Sequence, residues 1–264
     1  MSTSPPPLAQ ADTIAGLIKG MAVLESFGTE RQRLNATQAA ARAGLTRAAA
    51  RRHLLTLAHL GYLETEGGVF WLGARALRLA GAYLASSRLP RAIQPALNRR
   101  AAQTQDVYSA VVLDGDEVVI IARSAGLVSS AASSRLLAYG MHLGARLPAH
   151  ATSTGRVLLA GLPKAALSSW LRGRQLPRLT PHTTTGQRAF RALLTEVAHQ
   201  DYCMASDEHE LGVQAVAVPL RNAQGATVAA LNVIAPPGRF DPAAVQEAVL
   251  PRLRAAARDL RAVL

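Results

Sequence analysis

The feature that most constrains this chain is the stretch of residues 37–60, TQAAARAGLTRAAARRHLLTLAHL. Its pattern predicts two short helices separated by a break at Gly44 and Leu45. A glycine can adopt the left-handed conformation that ends a helix, and Thr46 can accept a hydrogen bond from a backbone N–H of the following first turn. Two helices joined by three or four residues around a glycine form the outline of a helix-turn-helix.

The surface of the second predicted helix suits a DNA major groove. On a helical wheel the buried stripe comprises Ala50, Leu54, Leu57 and Gly61. The opposite arc carries Ala48, Arg51, Arg52 and His59, with Arg47 at its edge. Small alanines allow close approach while arginines reach guanine edges or phosphates. The alternative is a solvated cationic face. Leu55 also falls on the outer arc, where it needs either a thymine methyl or another part of the protein. The candidate DNA-binding residues are Thr37, Thr46, Arg47, Ala48, Arg51 and Arg52.

Composition bounds the class of protein. The 264 residues allow two domains, 49% of them are apolar, and no apolar run approaches the ~20 residues that a bilayer requires. The net charge of +12 favours attraction to a polyanion. Residues 12–90 carry ten basic and five acidic side chains, and residues 91–264 carry nineteen and twelve. The excess is therefore spread along the chain and does not locate a DNA site.

The start of the chain and its cysteine content indicate the compartment. Residues 1–11 contain three prolines without a basic segment before an apolar run, which predicts a disordered tail rather than a signal peptide. The single Cys203 excludes an internal disulfide and fits a reducing compartment. We therefore expect a cytoplasmic protein without a membrane partner.

The first domain is predicted to be a winged helix-turn-helix over residues 12–73. Helical spacing over residues 18–27 predicts a further helix that packs on the first pair. Two strand-like pieces around Glu66-Gly67-Gly68 predict a hairpin wing, whose acidic Glu64 and Glu66 favour packing rather than reading DNA. A linker helix follows in residues 74–90; its helical part covers residues 74–87 and ends before the breaker Leu89-Pro90. This helix is either a dimer contact or an ordinary helix of one domain.

Residues 91–264 predict an α+β domain with one antiparallel sheet. Predicted strands flank Asp114-Gly115-Asp116 and residues 222–225, while residues 125–138 receive no assignment. Helices are predicted over residues 93–102, 164–171, 187–200 and 242–264, and another begins with Ser153 or Thr154 as its cap. That helix start, with Arg146, His150 and Thr152 nearby, would suit a small organic acid, because a helix N-terminus offers free N–H groups. The alternative is a simple cap beside a surface charge.

Five segments resemble an IclR-type bacterial transcriptional regulator: residues 16–28, 44–64, 113–124, 145–160 and 207–233. Within that family the chain is most similar to the branch that controls protocatechuate and 4-hydroxybenzoate catabolism. The resemblance implies a winged helix-turn-helix, a dimerising linker helix and a GAF-like effector-binding domain. It also implies a homodimer or homotetramer on a palindromic double-stranded operator, with no cofactor.

The resemblance implies an effector pocket for a small organic acid, with an aromatic acid as one candidate. Its candidate residues are Arg146, His150, Thr152, Ser153, Thr154, Asp207, Glu208, Glu210, Ala215 and Asn232. The chain departs from the branch at Asp201-Tyr202, at residues 206–210 and at Gln214-Ala215. Because these positions lie near the inferred pocket, an effector other than the usual aromatic acid stays open.

Two other functions stay open at this stage. Ser153, His150 and Asp207 are the residue types of a hydrolase triad, but Ser153 lies in TSTG rather than in a G-x-S-x-G elbow. A small-molecule enzyme with an N-terminal DNA-binding domain is therefore the alternative to a regulator, and the prediction is that the chain is not an enzyme. The third reading is a DNA-binding protein whose C-terminal domain is purely structural. The scattered histidines lack the spacing of a metal site.

Overall fold

The computed structural model describes residue 9 and residues 12–28, 31–104, 106–124, 142–235 and 240–264. Its contacts divide the chain into two compact units, one ending at Ser86 and the other spanning Ser87–Leu264. The boundary falls inside the predicted linker, residues 74–90. The predicted tail, residues 1–11, lies outside the described residues except for residue 9. Among the described residues, every helix is too short or too polar to cross a bilayer.

The first unit is a helical domain with a small sheet. Its elements are α1 (Ala15–Leu24), β1 (Leu34–Asn35), α2 (Ala36–Ala43), α3 (Arg47–His59), β2 (Leu63–Glu66), β3 (Val69–Leu72) and, after a short 3-10 turn (Ala74–Ala76), α4 (Leu77–Ser86). The sheet is antiparallel in the order β1-β3-β2. This arrangement is a winged helix-turn-helix, with β2 and β3 as the wing.

Local chemistry sets the break between α2 and α3. The Asn35 side chain accepts hydrogen bonds from Thr37 N and Gln38 N, both at 3.0 Å, and the Gln38 side chain accepts from Asn35 N. Gly44 ends α2 with φ of 64°, as expected for a left-handed cap. The Thr46 hydroxyl then accepts from Ala49 N at 3.3 Å. The predicted break at Gly44 and cap at Thr46 are confirmed, while the Asn35 capping box was not anticipated.

Two details of the predicted helix packing are wrong. Gly61 lies beyond the end of α3 with φ of 77° and is exposed, so the buried stripe consists of Ala50 and Leu54 with Leu57 half-buried. Helix α1 begins and ends three residues earlier than predicted. Of the apolar residues that gave the helical spacing, Val23 and Phe27 are buried in the core, whereas Ile18 and Met21 are exposed.

The second unit is built on a six-stranded antiparallel sheet. Its elements are α5 (Arg88–Thr104), β4 (Val107–Asp114), β5 (Glu117–Arg123), β6 (Arg146–Pro148), a 3-10 turn (Ala149–Ala151), α6 (Ser153–Ala160), α7 (Lys164–Leu171), α8 (Gln187–Gln200), β7 (Cys203–Ser206), β8 (Gln214–Arg221), β9 (Thr227–Ala235), a helical turn (Pro242–Ala244), a π-helical stretch (Val245–Val249) and α9 (Leu250–Arg261). The strand order is β6-β5-β4-β9-β8-β7. The unassigned residues 125–138 lie outside the described residues.

Each face of this sheet carries its own core. Helices α5 and α9 cover one face through residues such as Ile93, Leu97 and Leu253. Helices α6, α7 and α8 cover the other face through residues such as Leu159 and Phe190. Since successive residues of a strand point to opposite faces, β9 sends Leu231 and Val233 to the first core and Ala230 and Ile234 to the second. This α+β layering is the predicted class.

Proline explains two departures from the predicted helices. Pro90 was expected to break the chain, yet it lies in the first turn of α5, where a missing backbone N–H costs nothing. The predicted final helix, residues 242–264, is interrupted by the π-helical stretch that ends directly before α9. Pro251 occupies the first turn of α9. Proline cannot donate to the preceding turn, which fits a change of helical pitch at this point.

A buried ion pair fastens the 207–212 turn, between β7 and β8, to helix α6. The Arg156 guanidinium, whose side chain is 1% exposed, binds both carboxylate oxygens of Glu208, which is 13% exposed. Arg156 Nε also donates to His150 O at 2.8 Å. Thr184 N donates to Glu208 Oε2 at 3.1 Å, and the Thr183 hydroxyl donates to Glu208 O at 2.6 Å. Glu208 thus joins three segments that are far apart in sequence.

Replacing Arg156 by methionine is expected to lower the free energy of unfolding of the second unit by about 3–5 kcal/mol, because it strands a largely buried carboxylate. Urea unfolding followed by Trp170 fluorescence measures this in a Trp71→Phe background, since the chain has two tryptophans. The matched control is Arg221→Met, which breaks the half-exposed Arg221–Asp201 pair and should cost less than ~1 kcal/mol. Equal costs for the two variants would contradict the fastening role of Arg156.

Candidate functional site

Helix α3 presents a continuous basic face. Arg47, Ala48, Arg51 and Arg52 are all exposed, as are Thr46 at the cap of α3 and Thr37 in the first turn of α2. Within the described residues, none of the three arginines forms an ion pair. Their guanidinium groups are therefore available to an external partner. Leu55, 42% exposed, lies on the same face.

One acidic side chain of the wing, that of Glu64, is bound by a neighbouring residue of the same wing. Trp71 Nε1 donates to Glu64 Oε2 at 3.0 Å, and the Arg33 guanidinium lies 4.3 Å from the centre of the Trp71 ring. The tip is the Gly67-Gly68 turn, in which both glycines have positive φ (57° and 79°), as a tight hairpin requires. The stack of Arg33 on Trp71 was not anticipated from the sequence, because the two residues belong to different strand regions.

The N-terminus of α6 forms one wall of a cavity in the second unit. Thr152, and neither Ser153 nor Thr154 as predicted, is the cap, since its hydroxyl accepts from Gly155 N at 3.2 Å. Ser153 and Thr154 are the first helical residues and are buried. A Cβ on Gly155 would lie 2.1 Å from Ala149 O, so only glycine allows the helix to approach the preceding 3-10 turn.

The cavity lies between α6, the sheet and the 207–212 turn. It has a volume of about 40 Å³, a few times the roughly 10–15 Å³ that one water requires. Its lining residues are Leu147, Ala151, Thr152, Ser153, Thr154, Ala205, Glu208, His209, Glu210, Val213, Ala215, Asn232 and Ile234. An apolar lining with a few convergent polar groups is typical of a small-molecule site.

The ionisable groups of the lining differ in their surroundings. Glu208 is paired with Arg156. Burial raises the pKa of the Glu210 carboxyl above its ordinary value. Burial lowers the pKa of His209, and the nearby His150 adds to that effect, so His209 favours its neutral form at pH 7. The described lining therefore offers hydroxyls, an amide, a neutral imidazole and carboxylates.

Several buried oxygens of this region have unmet hydrogen-bonding capacity. Ser153 Oγ and Asn232 Oδ1, both in the lining, have no hydrogen-bond partner among the described residues. Ser109 Oγ also has no hydrogen-bond partner among the described residues, and Ser109 is the cross-strand neighbour of Asn232. A buried polar atom without a partner costs about 1–3 kcal/mol. A ligand or water that binds these oxygens would recover that cost.

The structure brings most of the predicted pocket residues together. Seven of them line the cavity: Thr152, Ser153, Thr154, Glu208, Glu210, Ala215 and Asn232. The predicted set omits the lining residue His209 and the apolar Leu147, Ala151, Ala205, Val213 and Ile234. His209 follows Glu208 in an irregular turn, where no periodicity indicates which side chains point inward. The burial of Arg156 could not be recognised from the sequence of α6, STGRVLLA, because it depends on the partner Glu208 in a distant turn.

The structure does not bring three predicted pocket residues to the cavity lining. Arg146 is half-exposed on β6, where its guanidinium pairs with Glu117 at 2.6 Å and Asp114 at 3.1 Å. His150 is buried and its Nε2 contacts Pro177 O at 2.9 Å; burial chiefly lowers its pKa. The Asp207 carboxylate accepts from Gly212 N at 2.6 Å, a bond that lowers its pKa and closes the turn.

The contacts do not assemble the triad that was considered for a hydrolase. His150 Nε2 is directed at Pro177 O, and Asp207 is engaged by Gly212 N and Ser206 Oγ. Within the described residues, no hydrogen bond links Ser153, His150 and Asp207. In the same part of the chain, no group of three His, Cys, Asp or Glu residues is placed to hold a metal ion. Cys203 is buried, and burial raises its pKa to about 11.

Comparison with known proteins places both units in one family. Residues 16–67 match the profile of the IclR helix-turn-helix domain, and residues 81–262 match that of the bacterial transcriptional regulator IclR C-terminal domain. The Pca operon regulatory protein of Acinetobacter baylyi is 48% identical over 263 residues, covering 100% of this chain and 94% of that protein. The p-hydroxybenzoate hydroxylase transcriptional activator of the same organism is 50% identical over 250 residues, covering 95% and 92%.

A solved structure resembles the second unit. It is the inducer-binding domain of the PobR transcription factor from Acinetobacter, a double mutant in complex with 3-hydroxybenzoic acid. Its identity to this chain is 47% and its TM-score is 0.61, and the match covers 66% of this chain and 98% of that domain. These relatives are transcriptional regulators rather than enzymes. The chain belongs to the IclR family of bacterial transcriptional regulators.

Proposed function

We propose that this regulator controls genes for the catabolism of a hydroxylated aromatic acid and that such an acid is its effector. The observation that carries the proposal is the similarity, at 48% and 50% identity, to a Pca operon regulator and to the activator of p-hydroxybenzoate hydroxylase. The small cavity of the second unit supports it, because the matching PobR domain is a complex with 3-hydroxybenzoic acid. The protein would act in the cytoplasm, where its DNA is.

The effector carboxylate would bind at the N-terminus of α6. The first backbone N–H groups of a helix and its partial positive charge favour an anion there. The Ser153 hydroxyl, buried and without a partner among the described residues, would donate to the same carboxylate. Asn232 on β9 and the carboxylate of Glu210 would meet the hydroxyl end of the acid.

Helix α3 would lie in the major groove of the operator. Arg51 and Arg52 would address base edges, while Arg47 and the hydroxyls of Thr37 and Thr46 would contact phosphates. Ala48, with its small side chain, would allow the close approach. The division of the chain between Ser86 and Ser87 supports separate DNA-binding and effector-binding domains, which we propose as residues 12–73 and 91–264 joined by a linker, residues 74–90.

The protein would act as a homodimer or a pair of dimers. Helix α1 and its cap expose Ile14, Leu17, Ile18 and Met21, whose spacing places them along one face. Helix α4 buries none of its residues within the described chain and exposes Leu77, Leu79 and Tyr83. Apolar surface of this extent favours a second copy of the chain. A two-fold dimer implies a palindromic operator with half-sites roughly 34–36 Å apart or a multiple of that.

Substituting Arg51 or Arg52 by alanine is expected to weaken operator binding by about 1–3 kcal/mol and to relax preference at one base pair. Mobility-shift titration of the full-length protein measures the affinity, with the operator located by footprinting upstream of its own gene. Arg188→Ala, an exposed arginine on α8 of the second unit, is the control and should bind as the wild type does. Unchanged affinity and preference in both α3 variants would refute the placement of this helix.

The wild-type protein is expected to bind 4-hydroxybenzoate or 3,4-dihydroxybenzoate, as measured by calorimetric titration. Ser153→Ala should weaken that binding about ten- to a hundredfold, because a hydrogen bond to a charged group contributes about 1.5–3 kcal/mol. Arg146→Ala removes a cation outside the cavity lining and should leave the affinity unchanged. Binding that survives Ser153→Ala intact, or that is lost in Arg146→Ala, would contradict the proposed carboxylate site.

Introducing a charge into the α1 face is expected to weaken self-association. Leu17, 63% exposed, and Ile18, 58% exposed, lie at its centre, and Leu17→Glu would bury a carboxylate in an apolar contact. Light scattering after gel filtration should show a smaller average mass at low protein concentration than for the wild type. Lys19→Glu, at the neighbouring exposed position, changes charge without touching the apolar face, and an equal effect of both variants would argue against this contact.

A further inference from the structure

Leu55 is an apolar side chain on the arginine face of α3, about one turn beyond Arg51 and Arg52. It is 42% exposed and follows Arg51 by four residues and Arg52 by three. Residues three and four apart on a helix share a face, so Leu55 projects on the side that bears both guanidinium groups. The buried side of α3 is filled by Ala50 and Leu54 instead.

Contacts within the first unit give Leu55 no packing role. The core of that unit, as formed by the described residues, includes Leu54, Leu57 and Ala58 from this part of α3 but not Leu55. A single exposed leucine is ordinary on a protein surface. This one, however, occupies a position that a groove-bound α3 would press against DNA, where a side chain unable to hydrogen-bond must face either water or an apolar group.

The major groove offers one such apolar group, the C5-methyl of thymine. With a rise of about 1.5 Å per residue, Leu55 lies about 6 Å along the helix from Arg51, or roughly two base-pair steps of 3.4 Å. We propose that Leu55 contacts the C5-methyl of a thymine in each operator half-site, one or two base pairs from the base that Arg51 addresses. This inference rests on the proposed placement of α3 in the groove.

The contact makes Leu55 a specificity-determining residue of a different kind from the arginines. An arginine distinguishes guanine by donating two hydrogen bonds, whereas Leu55 distinguishes thymine from cytosine by shape and hydration. Cytosine lacks the methyl and presents an amino donor in the groove. A leucine against that amino group would bury a donor without an acceptor, which is unfavourable. The operator position beneath Leu55 is therefore expected to be a thymine.

The test removes the methyl group alone. The full-length protein first selects a duplex from a random-sequence pool, and each thymine of that duplex is then replaced singly by deoxyuridine. Replacing one particular thymine of each half-site by deoxyuridine should lower the affinity of the wild-type protein about fourfold. This loss corresponds to ~0.8 kcal/mol for one buried methyl-sized group. Replacement of the other thymines should lower the affinity less.

Leu55 variants then assign the methyl to this side chain. In Leu55→Ala the deoxyuridine effect at that thymine should shrink to less than about 1.5-fold, because contacting groups are coupled while distant ones add. Leu55→Met keeps an apolar side chain of similar reach and should retain most of the fourfold effect. Leu60→Ala is the matched control: Leu60 is also exposed but lies at the C-terminal end of α3, and its substitution should leave every deoxyuridine effect unchanged.

The outcomes separate this inference from the proposed function. If no thymine responds to deoxyuridine, or if the response persists in Leu55→Ala, Leu55 does not read a methyl group. Should Arg51→Ala and Arg52→Ala still weaken binding to the same duplex, α3 keeps its place in the groove and only the Leu55 contact is overturned. If the arginine variants also bind normally, or the pool yields no preferred sequence, the placement of α3 fails and the Leu55 contact fails with it.

Discussion

The second unit depends on the ion pair between Arg156 and Glu208. Taking a guanidinium out of water costs several kcal/mol unless its donors are satisfied, and here two are bound by the Glu208 carboxylate and a third by His150 O. Glu208 in turn accepts from Thr184 N and, through its carbonyl, from Thr183. One charge therefore specifies how α6, the 172–186 loop and the 207–212 turn meet, and two of those segments are walls of the cavity.

The first unit is organised by short-range rules instead. The Asn35 capping box starts α2, left-handed Gly44 ends it, and Thr46 starts α3 two residues later. The capping side chains bond to backbone groups no more than three residues away in the sequence. The conformation of the turn is therefore encoded locally. The core then orients α3 through Ala50 and Leu54, with Leu57 and Ala58 packed against it, and the opposite face of the helix stays exposed.

Elements with a local signal could be predicted from the sequence, and those without one could not. Helices α7 and α8 match their predicted ends, and the turns of the β2–β3, β4–β5 and β8–β9 hairpins lie at the predicted glycines, Gly67-Gly68, Gly115 and Gly225. Strands β1, β6 and β7 were not predicted, because two to four residues hold too little alternation to identify a strand. The partners of β1 and β6 are also distant in the chain. The residues of the cavity region also divide into those with a local sequence signal and those without one. The contiguous segment from Thr152 to Thr154 was recognisable, whereas His209 and Arg156 depend on tertiary packing.

The position of Arg146 bears on whether a further strand can pair with the edge of the sheet. It lies on β6, the outermost strand at one end of the described sheet, and that strand is three residues long and ends in Pro148. An uncovered strand edge is a template for another chain, and short length, a charged side chain and a proline each discourage such pairing. Strand β6 combines all three features, so this edge of the described sheet is a poor template for a further strand.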